Sequence, residues 1–325
     1  MIILKLAGFL CKKRNKEIPL QFQKPALSFT EQLDQLIDRG LVVEDRDKAL
    51  HYLSHLNYYR LGAYWLPFEE NRAPHKFYSG TSFETILNHY LFDRELRLHL
   101  LDAIERIEVS FRTQWAYQVS LVFGSHGYLL NKPGIIKNTK RFDVNVKELT
   151  KAVLRSDDTF IEHYQKKYDE GLPPAWVACE IMSLGLLSKF YSNLRAYQVR
   201  RAIASAYDFD EGFLEGFMEH LTYVRNVCAH HGRLWNRHLK KKMPIPKSKP
   251  QGLRDSIYID TTNKKTEHKI YNTFVLVQYL VCKISPNSNW STGLYRLIEK
   301  YEVNTVAMGF PEDWLEKPIW LMIDR

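Results

Sequence analysis

Apolar side chains recur along this chain at intervals of three and four, the spacing that lines one face of an α-helix. The clearest run begins after Gly80: no Gly or Pro interrupts it before Gly124, and Thr81-Ser82-Phe83-Glu84 has the residue order of a capping box. This stretch is predicted to be one long helix. Phe83, Leu87, Tyr90, Leu98, Leu101, Ile104, Phe111 and Trp115 are expected to form its single buried stripe. Arg94 and Glu108 fall on that stripe, and buried charges need partners. They are therefore expected either to make structural ion pairs between helices or, together with Arg106, to support an active site.

A second stretch, Pro174 to Pro244, is interrupted only by glycines, and it divides into several helices. Ala175 to Leu194 is apolar and helical, and Arg195 to Tyr207 is basic and mixed. Glu211 to His231 carries Phe213, Phe217, Leu221, Val224 and Cys228 at helical spacing, with Gly232 as its stop or bend. Upstream, Ser28-Phe29-Thr30-Glu31 caps a helix ending at Gly40, Asp45 to Leu56 forms another, and an aromatic segment, NYYRLGAYWLPFEE, follows. Downstream, Tyr271 to Ile284 is a helix or a buried strand, then come a short helix and an irregular aromatic tail. No internal repeat is visible. The expected fold is mostly α: a helical bundle with a helical N-terminal elaboration and a basic loop before the C-terminal segment. The expected boundaries are a basic N-terminal tail over 1–24, a helical region over 25–239, and the basic loop with a C-terminal extension of the same domain over 240–325.

Composition supports a folded, helix-rich chain: 45% of residues are hydrophobic, and 15 Gly and 13 Pro are few for 325 residues. Charge adds a partner class. The net +9 is concentrated between Arg237 and Arg254, where RHLKKKMPIPKSKPQGLR carries two Arg and five Lys and no acid. Such a run suits a polyanion, although three prolines equally suit a solvated loop. Cys11, Cys179, Cys228 and Cys282 contain no C-x-x-C pair, which fits neither a disulfide framework nor a thiolate zinc cluster. The apolar start MIILKLAGFLCKKRNK has its basic flank on the wrong side for a signal peptide, and charges interrupt every other long apolar segment. A cytoplasmic protein without membrane contact is expected.

Walker, Rossmann, nucleophile-elbow and H-E-x-x-H motifs are all absent. The densest polar chemistry is VRNVCAHHGRLWNRH, Val224 to His238, at a helix end. Arg225, Asn226 and His230 make an R-N-x-x-x-H pattern suited to cutting RNA without a metal. An imidazole titrates near neutrality, so it can take a proton from a ribose 2′-OH or return one to the leaving 5′-oxygen. A planar guanidinium can hold two phosphate oxygens as charge builds on phosphorus, and Asn226 would help orient them. On a helix Asn226 and His230 share a face, whereas Arg225 and His230 diverge by roughly 140°. Two copies facing each other would complete the site, so a homodimer is expected. Spacing alone is weak: Arg46/His51, Arg94/His99 and Arg233/His238 fit as well. The bland alternative is a helix end whose cations meet the dipole. Zinc on Cys228, His230 and His231 is poorer, because helix neighbours one and two apart point in different directions.

Several segments in order, KPALSFTEQLDQLIDRGL, HYLSHLNYYRLGAYWLPFE, YLFDRELRLHLLDAIERIEVSFRT, LPPAWVACEIMSLGLLSKFYSNL, VRNVCAHHGRLWNR and MGFPEDW, resemble the Abi-like family of bacterial abortive-infection proteins, the AbiD/AbiF group. The resemblance implies a HEPN-type helical domain whose R-x4-6-H motif, here Arg225, Asn226 and His230, forms a metal-independent ribonuclease site across a dimer, with no cofactor. It also implies similarity to the HEPN domains of type VI CRISPR nucleases, a role in phage defence or as a toxin held in check, and a small structured RNA as a regulatory partner. His231 and Arg233 extend the pattern and are expected, with Arg237, Lys240, Lys241 and Lys242, to contact RNA. The rival expectation is a non-catalytic RNA-binding or scaffold protein. A third is a HEPN toxin silenced by modification near the site, at Tyr223 for example.

Overall fold

A computed structural model describes residues 23–70, 74–247 and 250–323. Of the tail expected over 1–24, residues 1–22 lie outside the described residues. Thirteen α-helices and no strand occur among the described residues, in agreement with the mostly α expectation. The chain divides into two compact units, Met1–Glu84 and Thr85–Arg325.

The first unit holds α1 (Phe29–Asp38), α2 (Arg46–His55) and α3 (Tyr58–Trp65). The box expected at α1 is formed: Glu31 N–H donates to Ser28 Oγ and the Glu31 carboxylate accepts from Ser28 N–H. Asp45 caps α2 through Lys48 N–H, 2.9 Å away. Arg39 closes the unit: it pairs with Glu69 and lies over the Trp65 and Phe77 rings.

The second unit is built around α4 (Phe83–Phe123), the long helix expected from the sequence. It starts later than Thr81 would set it, and Glu84, the last residue of the first unit, pairs with Lys48 of that same unit instead of completing a box. Its buried face includes Leu87, Leu96, Leu100, Ile104, Ile107, Phe111 and Trp115. The expected stripe is wrong in part: Leu98 is 53% exposed, Arg94 is exposed, and Tyr90 and Leu101 are half-buried. Leu98 stands about 120° from Ile104 around the axis and Arg94 the same angle from Leu100, so sums of three and four had drifted off the face. The buried charges of α4 are Asp93 and Arg97.

The remaining helices are α5 (Thr139–Arg155), α6 (Thr159–Lys167), α7 (Ala175–Ile181), α8 (Leu184–Asn193), α9 (Tyr197–Ser205), α10 (Glu211–Ala229), α11 (Gln251–Ser256), α12 (Tyr271–Ile284) and α13 (Trp290–Tyr301). The single helix expected over Ala175–Leu194 is broken at Met182, whose ψ of 134° is extended, and Ser183 Oγ starts α8 by accepting Leu186 N–H. Arg112 holds that break, donating to the carbonyls of Glu180 and Met182 at 2.9 Å each. α8 packs on both α5 and α10. α12 resolves as a helix buried almost all round, from Tyr271 to Val281, which explains why its sequence shows no polar face. No helix among the described residues is long and apolar enough to cross a membrane.

A candidate active site at the end of helix α10

Asp210 opens α10 by accepting Phe213 N–H at 2.6 Å. Phe213, Leu214, Phe217, Met218, Leu221, Val224, Val227 and Cys228 then face the interior. With that face fixed, Asn226 is turned to solvent and Arg225 is half-buried. Arg225 Nη1 donates to Asn226 Oδ1 at 3.4 Å, so within one chain the guanidinium reaches Asn226 rather than His230.

The helix ends at His230, whose N–H donates to Asn226 O at 3.0 Å. His231 N–H then bonds Cys228 O at 3.0 Å and Gly232 N–H bonds Val227 O at 2.8 Å, the paired bonds of a Schellman ending. The left-handed residue of that motif, usually glycine, is His231, with φ 56°. Gly232, expected as the stop or bend, comes one position later and is closely packed instead. A Cβ there would lie 3.1 Å from Val227 O. His230 and His231 are both exposed.

The chain leaving the helix is held from α4. Asp93 Oδ1 accepts the backbone N–H groups of Leu234 at 2.9 Å and Trp235 at 2.5 Å. Asp93 is fully buried and paired with Arg97 one turn along. The Trp235 ring packs 4.4 Å from that of His89, whose basicity is lowered by burial. Burial, reinforced by the Asp93 charge, pushes the Cys228 thiol up to about 12, so it is a packed, protonated side chain. Cys228 faces the interior whereas His230 and His231 are exposed, so the three side chains do not converge on one point. No cluster of three His, Cys, Asp or Glu among the described residues is arranged to hold a metal.

The basic segment lies along α10 rather than swinging free. Lys240 N–H donates to Tyr223 Oη at 3.2 Å, and Pro244 packs against Gly216. His220, 1% exposed, donates from Nδ1 to Lys241 O at 3.1 Å and accepts from Thr273 Oγ1 at 2.9 Å through Nε2. Burial brings its pKa down to about 4. Lys241 pairs with Glu219 and Lys242 with Glu267, so two of the seven positive charges expected for a polyanion are already balanced. Arg254 ties the segment internally, donating to Pro246 O and Lys247 O. Lys240 is exposed, and Arg233 and Arg237 are half-buried.

The long-helix residues expected as supports are engaged elsewhere. Arg106 bonds Asp102 and Ser288, and Glu108 pairs with Arg112 at 2.5 Å. The long helix does support the exit of α10, but through Asp93 and Arg97, which spacing missed. Asp93 precedes Arg94 by one residue; the available signal was an Asp and an Arg four apart in a stretch otherwise apolar on one side.

The sequence model of a family described as Abi-like protein matches residues 51–236, more than half of the chain. No curated protein and no solved structure matches it.

Proposed function

We propose that this chain, which belongs to the Abi-like protein family, is a metal-independent endoribonuclease acting through Arg225, Asn226 and His230. Family membership connects it to abortive infection, the defence of bacteria against phage. The observation that carries the finer reading is the presentation of Asn226 and His230 to solvent, beside Arg225, at the end of a helix whose opposite face is packed. A purely structural helix end has no need to expose an amide and two imidazoles there. In the reading, the ribose 2′-oxygen attacks phosphorus and the P–O5′ bond breaks. One neutral His230 imidazole takes the 2′-OH proton and a protonated one gives a proton to the 5′-oxygen. Arg225 and Asn226 hold the non-bridging oxygens while negative charge accumulates on them. The products are a 2′,3′-cyclic phosphate and a 5′-OH. Because Arg225 turns to Asn226 within its own chain, the Arg and His acting on one phosphate come from two chains, and the active form is a homodimer.

That same contact favours a second reading, an RNA-binding protein that grips phosphate or a small structured RNA without breaking bonds. End chemistry separates the two. Wild type, His230→Ala and Arg225→Ala, each checked for native circular dichroism, are incubated with labelled RNA in EDTA. Cleavage by wild type with cyclic-phosphate ends, reduced by at least about 100-fold in either variant, is expected. Equal cutting by His230→Ala would refute the assignment.

A further inference from the structure

Beyond the family-matched residues, a distant segment returns to the exit of α10. Leu239 N–H donates to His268 O and His268 Nδ1 to Leu239 O, both at 2.8 Å, which fastens residues 264–269 alongside 237–240. Lys269 Nζ is thereby placed 2.6 Å from Asn236 Oδ1. Asn236 itself has φ 48°, a left-handed conformation that Asn adopts more readily than most residues. On the other side, Gly309 has φ 86°, and a Cβ there would come within 2.5 Å of Lys269 Cβ. The backbone is shaped to let this lysine sit where it does.

Two arginines lie on the same exit segment as Asn236, and the charge of one, Arg233, acts on Lys269. Arg237 Nη1 donates to Arg233 O at 3.1 Å, and Arg237 Nε is buried without a hydrogen-bond partner. Burial, and next the charge of Arg233, hold the Lys269 ammonium below its ordinary range. Among the described residues no carboxylate pairs with Arg237 or Lys269, and Glu267, in the same segment, is turned to Lys242. Crowded, partly desolvated cations are stabilised by an anion with several acceptor oxygens, and guanidinium and ammonium donors together match a phosphate.

We propose that Lys269, with Arg233, Arg237 and Asn236, forms a phosphate subsite that holds an RNA phosphodiester flanking the scissile one. The proposal rests on the ribonuclease reading for the identity of the ligand. The subsite makes productive binding depend on RNA length, because a dinucleoside monophosphate has only the phosphate that is cut.

The test uses the full chain and a fluorescent single-stranded RNA decamer. Binding is measured in a His230→Ala background, so that no cleavage intervenes, with and without Lys269→Met. The Lys269→Met affinity is expected to fall about 5- to 10-fold, and the log–log dependence on salt to flatten by about 0.7, the value for one lost phosphate contact. Lys269→Arg is expected to restore both. Removing a crowded charge should leave the thermal midpoint unchanged or raised, which separates the effect from misfolding. With His230 intact, Lys269→Met should slow cleavage of the decamer and spare the dinucleoside monophosphate. Unchanged affinity and salt slope, or equal slowing of both substrates, would overturn the subsite. Absence of RNA binding in every variant would remove the subsite and the ribonuclease reading together. Salt-sensitive binding weakened by Lys269→Met, in a protein that cuts nothing, would uphold the subsite and defeat the ribonuclease reading.

Discussion

Replacing Asp93 by Ala should disturb the end of α10 from the far side of the core. The carboxylate is 0% exposed, accepts two consecutive backbone N–H groups and faces Arg97, whose side chain is 6% exposed. Removing it takes the Asp93 carboxylate away from the buried Arg97 guanidinium and leaves the Leu234 and Trp235 N–H groups without that acceptor. Breaking one side of a buried pair costs about 3–5 kcal/mol, and Asp93→Ala belongs at the upper end because the N–H groups are also stranded. Arg97→Ala leaves a carboxylate still served by two N–H donors, so about 3 kcal/mol is expected. The double variant removes both charges of this pair together. Its loss should be no larger than that of Asp93→Ala alone, a coupling of about 3 kcal/mol. Urea midpoints at unchanged slope give the energies. Hydrogen exchange at Leu234 and Trp235 gives the local effect, with protection lost in Asp93→Ala and retained in Arg97→Ala. Single variants within about 1 kcal/mol of wild type, or losses that simply add, would show that the pair does not hold the exit turn.

Two further outcomes follow from the same helix. His220 is neutral when folded, with a pKa of about 4 against 6.5 unfolded, so the unfolded chain binds more protons between those values and stability falls as pH drops through that window. The loss attributable to this one group reaches about 2 kcal/mol by about pH 5; urea unfolding of His220→Gln should show a pH dependence shallower by that amount, and an unchanged dependence would contradict the assignment. At position 231, Gly and Ala both delete the imidazole but only Gly is at ease at φ 56°, so His231→Gly should unfold at higher denaturant than His231→Ala by about 1 kcal/mol; the reverse order would mean the backbone there is not left-handed.

Elements whose signals are local were legible in the sequence. Ser28 and Glu31 act within four residues of each other, and Glu211–Ala229 announces its buried face through Phe213, Phe217, Leu221, Val224 and Cys228. The break at Met182 was less visible, because Ser183 resembles any mid-helix serine until Arg112, seventy positions earlier, is seen collecting the freed carbonyl. Arg94 falls on the expected stripe and Asp93 does not, for a similar reason. Periodicity fixes a residue's angle only to within a position or so over a 41-residue helix, and a shift of one residue moves a side chain by about 100°. Of the candidate site, Arg225, Asn226, His230 and His231 were readable because they are contiguous. Lys269 was not, since its neighbours Asn236 and Gly309 meet it only through the fold.

The placement of strain supports a functional end to α10. A helix that only needs to stop can do so with glycine in the left-handed position at little energetic cost. Here the glycine stands one residue too late for that role, and a histidine occupies the unfavourable conformation, exposed, directly after His230. Such an arrangement persists when its surroundings over-determine it, and two anchors flank it: Gly232 N–H bonded to Val227 O on one side, and the Asp93 carboxylate on the N–H groups of Leu234 and Trp235 on the other. Stability alone gives no reason to anchor an exposed helix end with a buried ion pair. The proposed ribonuclease would supply such a reason, because a proton-transfer site loses efficiency when a group such as His230 wanders by even about an ångström.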